Sequence, residues 1–216
     1  VHKRRRKAPE VHRHRRAARK RLEMLAVLGK FGVVAALENF RALHDRPQAA
    51  VHHHAGGSGQ LGLEALSRGA ATAVFIDNVR DAADIIIANA RKCKLFDRCR
   101  VSSMDSLAYL RSIAGRETFD IIFIDPPYAA EVIPDCLRLI ADGGILAPGG
   151  VVACESGVVG RGAPKKRKRI DEEKEAADMA EVLFGGDEAL SQRFEVRRNA
   201  VYGISRLTLL SAADAT

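Results

Sequence analysis

Residues 119–128 read Phe119-Asp120-Ile121-Ile122-Phe123-Ile124-Asp125-Pro126-Pro127-Tyr128. The run Ile121 to Ile124 is β-branched and aromatic, the composition of a strand buried on both faces. Proline cannot continue a central strand, so the strand is expected to stop at Asp125. The stop leaves a carboxylate, two stiff backbone units and an aromatic ring at the C-terminal edge of a sheet. In open α/β sheets that edge is where ligands bind. Asp125 can accept a hydrogen bond from an amino group. A carbonyl of the Pro126-Pro127 pair can accept a second, because proline offers a C=O and no N–H. Tyr128 can stack on a flat ring. Two acceptors aimed at one NH2, with a ring to hold its plane, suit methylation of an exocyclic base nitrogen.

Outward from this strand, apolar runs alternate with helical periodicity. Strands are expected over 49–54, 73–77, 100–103 and 120–125, each followed by a helix, over 60–67, 80–92, 106–113 and 130–141. Gly69 closes the first of these helices from the position after its cap. Gly143-Gly144 and Pro148-Gly149-Gly150 bracket an expected loop, and a strand over 151–155 ends the alternation. A loop over 156–170, a helix over 171–184 stopped by Gly185-Gly186, and antiparallel strands over 194–198 and 202–210 complete the reading. Alternation with short connections implies an α/β fold, a doubly wound and mostly parallel sheet with helices on both faces. Before it, a helix is expected over 22–43.

The turn Gly57-Ser58-Gly59-Gln60-Leu61-Gly62 falls between the first strand and its helix. Glycines there let backbone pass close to a ligand and leave helix N–H groups pointing at it. The second strand ends in Asp77, followed by Asn78, where doubly wound folds grip a ribose diol. The third strand is followed by Asp105 and Ser106, in position to meet an adenine amino group. A glycine turn, an acid after strand two, an acid after strand three and Asp-Pro-Pro-Tyr after strand four form one ordered series. A dinucleotide-binding dehydrogenase shares the first two features but has no need of the last.

The 216 residues carry a formal net charge of +8, unevenly placed. Residues 1–22 hold eleven Lys/Arg and one acid, Glu10, while the rest of the chain is near neutral. Such an arm fits a phosphate backbone. A second basic block, Lys165-Lys166-Arg167-Lys168-Arg169, is answered at once by Asp171, Glu172 and Glu173, as a solvated loop and helix start would be. No apolar run is long enough for a transmembrane helix, and no apolar segment follows the basic start closely, so neither a membrane span nor a signal peptide is expected. Cys93, Cys99, Cys136 and Cys154 are scattered with no C-x-x-C pair, as in a reducing, cytoplasmic setting. Cys154 sits in an apolar run and is expected in the core. His52, His53 and His54 stand in the first strand. Alternation turns His53 away from the other two, and no metal site is expected.

The residues 57–70, Gly57-Ser58-Gly59-Gln60-Leu61-Gly62-Leu63-Glu64-Ala65-Leu66-Ser67-Arg68-Gly69-Ala70, resemble the bacterial 16S rRNA guanine-N2 methyltransferases of the RsmD family. So do Val74-Phe75-Ile76-Asp77, Phe119 to Tyr128, and Tyr202 to Leu210. The resemblance implies the Rossmann-like class I methyltransferase fold, seven strands with an antiparallel last strand, and S-adenosylmethionine as cofactor. By position it implies that Gly57, Gly59 and Gly62, with Ser58, line the methionine end of the cofactor. Asp77 with Asn78 would hold the ribose, and Asp105 with Ser106 the adenine. Asp125 and the Pro126 carbonyl would orient guanine N2, with Pro127 and Tyr128 completing the catalytic stretch. The implied partner is 16S rRNA in the small ribosomal subunit, met by a monomer. Residues 1–48 would be the RNA-contacting arm and helix, and 49–216 the methyltransferase domain. The histidines replace the acid and apolar residues usual in the family's first strand, and Arg46-Pro47 lacks the family's following threonine. Two other functions remain open from sequence: a DNA amino-methyltransferase, and a catalytically inactive RNA-binding or ribosome assembly factor.

Overall fold

The computed structural model describes residues 58–126, 131–158, 172–202 and 204–213, and the backbone of 50–54. The basic arm over 1–22, the helix expected over 22–43 and the basic block 165–169 lie outside the described residues. Within them the order is β1 (Ala50–His54), α1 (Gln60–Ser67), β2 (Thr72–Asp77), α2 (Arg80–Lys92), β3 (Cys99–Ser103), α3 (Ser106–Ile113), β4 (Phe119–Ile124), α4 (Ile133–Asp142), β5 (Leu146–Gly157), α5 (Glu172–Phe184), α6 (Glu188–Ser191), β6 (Phe194–Tyr202) and β7 (Ser205–Ala212). One sheet runs β3-β2-β1-β4-β5-β7-β6. β1 to β5 pair in parallel, and β7 runs antiparallel to both β5 and β6. Strand order reverses between β1 and β4, which opens the crevice that such sheets use for ligands.

Alternate residues of the central strands feed two cores. On one face Phe75, Phe123, Ala153, Leu207 and Leu209 meet Leu63 and Leu66 of α1 and Ile86 of α2. On the other Ile76, Ile122, Ile124, Cys154 and Leu210 meet Leu110 of α3, Leu137 and Ile140 of α4 and Leu183 of α5. β4 is buried from Ile121 to Ile124, as its composition requires. Burial pushes the Cys136 thiol up to about 12 and raises that of Cys154 further, so both stay protonated as small apolar groups.

Helix ends follow local chemistry. Gly69, at φ +116°, lets Ala70 N–H reach Ala65 O at 3.0 Å and so ends α1, a Schellman closure. α2 ends the same way, with Leu95 N–H on Ala90 O at 2.9 Å, but its left-handed residue is Lys94 at φ 59°.

Several boundaries differ from the sequence reading. The loop expected at Pro148-Gly149-Gly150 lies inside β5. The ladder pairs Phe119 with Leu146, then resumes at Ile121 with Val151, so the intervening residues bulge out of register. Gly149 takes φ +69° to make that excursion. α4 starts at Ile133, later than expected, because Pro134 occupies its first turn, where a missing N–H costs nothing. β6 runs on to Tyr202, which pairs with Ser205 at the head of β7. A 3-10 turn at Phe96–Arg98 and the short α6 had no clear periodicity to announce them.

Candidate active site

The C-terminal edge of the sheet gathers the ordered series. His54 pairs with Ile76 on one side and Ile124 on the other, so the next row along the edge holds Asp77 and Asp125. Asp77 itself pairs with Ser103, two residues before Asp105. All four connections therefore leave the sheet at one edge, flanking the β1/β4 reversal.

The turn into α1 is held from three directions. Gly59 is the N-cap of α1 at φ 71°, a left-handed geometry that glycine adopts without strain. A Cβ there would lie 3.0 Å from Ile86 Cγ1 and Cγ2. Asn89 of α2 donates its Nδ2–H to the Ser58 carbonyl at 3.0 Å, tying the turn to the neighbouring helix. Gly62 faces the sheet: a Cβ there would sit 2.7 Å from Phe75 Cζ and closer still to Cε1. Its hydrogen side chain thus lets α1 lie directly on β2. Gly62→Ala should cost about 1–3 kcal/mol of stability, since Phe75 is fully buried and must shift. Denaturant midpoints would register it, and an unchanged midpoint would contradict the packing role.

Asp77 is 7% exposed. Its Oδ1 accepts the Val79 N–H at 2.8 Å, and its carbonyl accepts Met104 N–H at 3.1 Å. The carboxylate is thereby fixed at the C-terminal end of β2, and Asn78 and Val79 beside it are exposed. Asp105 is exposed and caps α3, its Oδ1 accepting Ala108 N–H at 2.8 Å. The preference of aspartate for the position before a helix is the local signal for that cap. Ser106 is buried at the first position of α3. Asp125 is half-buried and Pro126 buried, immediately after β4. Gly57, Pro127, Tyr128 and the side chains of His52, His53 and His54 lie outside the described residues. Asn89 and Phe75 carried no signal as supports of the turn, because both act across the fold.

A family profile described as "Conserved hypothetical protein 95" matches residues 37–181. The chain belongs to this family. It is the RsmD family of the sequence resemblance. Among relatives, the chain is 36% identical over 103 residues to Ribosomal RNA small subunit methyltransferase D of Escherichia coli strain K12, covering 47% of this chain and 50% of that protein. It is 29% identical over 101 residues to the protein of the same name from Haemophilus influenzae, covering 46% and 52%. The chain spans about half the length of the curated relatives it matches. In structure it is similar to the Escherichia coli protein yhhF, provisionally named a methyltransferase, with TM-score 0.61 and 26% identity over 85% of this chain and 87% of that one. It also superposes on the Podospora anserina methyltransferase PaMTH1, solved with SAH bound, with TM-score 0.60 and 20% identity over 80% and 75%. At that identity the likeness extends to the Rossmann-like fold.

Proposed function

We propose that this family member transfers a methyl group from S-adenosylmethionine to the exocyclic N2 of a guanine in 16S rRNA of the small ribosomal subunit. The observation that carries the reading is Asp125-Pro126 at the end of β4, beside the strand-order reversal, in a chain of this family. The donor set fits the cofactor: a left-handed Gly59 opens α1 for close approach, and Asp77 offers a nearly buried carboxylate at the end of the neighbouring β2. Ser58, Gly57 and Gly59 would meet the methionine end, with Gly62 bringing α1 close. Asp77 and Asn78 would take the ribose hydroxyls, and Asp105 and Ser106 the adenine. Residues 49–216 form the methyltransferase domain in this reading, a monomer acting in the cytoplasm, and 1–48 engage RNA.

A guanine amino group is a poor nucleophile, because its lone pair is shared with the ring. Asp125 and the Pro126 carbonyl each accept one of its N–H bonds, which fixes the lone pair toward the crevice and raises its electron density. In this reading Pro127 would keep the carbonyl rigid and Tyr128 would stack on the base, which has to leave its helix or already be unpaired. When bound, S-adenosylmethionine would supply an electrophilic methyl whose S–C bonding electrons return to sulfur. The Asp125 carboxylate would stabilise the positive charge that grows on the guanine nitrogen until one N–H proton is lost to water. Calorimetric titration of the purified chain with S-adenosylmethionine tests the reading. Micromolar binding is expected. No binding to a folded chain would overturn the enzyme reading and favour an RNA-binding factor.

The arm adds a separate expectation. Deleting residues 1–22 removes eleven cationic side chains, so RNA affinity should fall and the slope of log K against log salt should flatten. An unchanged slope, measured by filter binding across a salt series, would contradict an arm that binds phosphates.

A further inference from the structure

The β6–β7 hairpin carries surface for which the mechanism above has no use. Ile124 pairs with Cys154, so the row in which β4 gives way to Asp125 continues through Glu155 of β5, Leu207 of β7 and Ala200 of β6. β7 runs antiparallel to both its neighbours, so β6 points the same way as β4 and β5. It continues two residues past that row, to Tyr202, which pairs with Ser205. Two residues of strand add about 7 Å, so the hairpin tip overhangs the edge at which Asp125 stands. Three strand spacings, from β4 through β5 and β7 to β6, set the tip about 14 Å to one side. The tip is held in place, because Val158, just past β5, donates its N–H to the Ile204 carbonyl at 2.9 Å. Its large side chains nonetheless face water: Tyr202 is 38% and Ile204 53% exposed. Residues 193–206 hold four arginines and one acid, Glu195. Glu195 pairs with Arg197, Arg193 pairs with Asp142, and Arg206 is buried. Arg198 is exposed and makes no ion pair among the described residues. By the period of two it shares a face of this last strand with Ala200 and Tyr202.

We propose that the tip and open face of this hairpin bind the single-stranded rRNA that flanks the target guanine; the assignment rests on the function proposed above. Tyr202 and Ile204 take a neighbouring base, and Arg198 takes a phosphate of the same strand. A base that leaves its stack uncovers the faces of its neighbours, and an aromatic ring nearby replaces the lost stacking for any base. The offset from Asp125 is one that a few nucleotides of single strand cover. A guanidinium four residues back along the same strand face meets the backbone that the stacked base trails behind it. The apolar pair alone would suit a protein surface equally well. Charge decides for the polyanion, since the acids beside the hairpin are spent on Arg193 and Arg197 and the cation left over is Arg198. The hairpin is then a substrate-positioning surface, and no covalent step passes through it.

Filter binding of the full chain to protein-free 16S rRNA and to unmodified small subunits tests the surface. Tyr202→Ala should lose roughly tenfold in affinity for both, while its affinity for S-adenosylmethionine stays near that of the parent. Tyr202→Phe keeps the ring and should bind as the parent does. Arg198→Ala should flatten the slope of log K against log salt by about 0.7, the share of one phosphate on a single strand. Parent-like affinity in Tyr202→Ala, a Tyr202→Phe as weak as Tyr202→Ala, or a parent-like slope in Arg198→Ala overturns the proposal. So does a deficit accompanied by an equal loss of cofactor affinity, because that marks support of the fold. A deficit confined to the subunits assigns the tip to a ribosomal protein and overturns it as well. Binding is read without methyl transfer, so a parent that binds RNA through Tyr202 yet methylates nothing fails the function alone and leaves this surface standing.

Discussion

Asp125→Ala is expected to bind S-adenosylmethionine nearly as well as the parent and to lose methyl transfer. Asp125 follows β4, on the far side of β1 from Asp77, so the proposed function gives its carboxylate to the base and not to the ribose. Its work lies in holding an amino group and stabilising charge that appears only as the N–C bond forms, so the loss falls on kcat, by roughly 10²–10⁴-fold. Asp125→Asn separates the two parts of that work. The amide keeps one acceptor oxygen but not the negative charge, so its rate should lie between those of the parent and the alanine variant. Single-turnover transfer to unmodified small subunits, with cofactor affinity measured in parallel, checks both variants. Methylation by Asp125→Ala at the parent rate would defeat the assignment.

Asp77→Ala is expected to act on the other term. Here the loss is in cofactor affinity, because two ribose hydroxyls lose a charged acceptor worth about 1.5–3 kcal/mol, or roughly 10–150-fold in Kd. Removing the carboxylate also releases the Val79 N–H that Oδ1 holds at 2.8 Å, and a loosened turn could weaken binding by itself. A cofactor analogue lacking a ribose hydroxyl resolves the two causes. It should bind the parent more weakly than S-adenosylmethionine, and Asp77→Ala should bind both equally, since contacting groups couple in a double-mutant cycle. Equal discrimination by parent and variant would count against the ribose role.

Much of the fold was legible because its signals are local. The helices over 60–67, 80–92 and 106–113 fall where periodicity put them, each with an identifiable stop or start such as Gly69 or Asp105. The end of β4 was legible because Pro126 cannot enter a ladder. What stayed hidden depends on partners distant in sequence. The extension of β5 back to Leu146 needs β4 to pair with it, and a Pro-Gly-Gly run read alone says loop. The pressure of Phe75 on Gly62 and the Asn89 bond to Ser58 follow from packing between elements distant in sequence, which no single segment declares. The cap that Asp105 makes on α3 is a local signal of the same legible kind.

The central claim is tested most directly by incubating the purified chain with unmodified small ribosomal subunits and S-adenosylmethionine labelled on its methyl group, then digesting the RNA to nucleosides. The account predicts label in the 16S rRNA that co-migrates with N2-methylguanosine. Label on another nucleoside, or none in RNA from a chain that binds the cofactor, would contradict it.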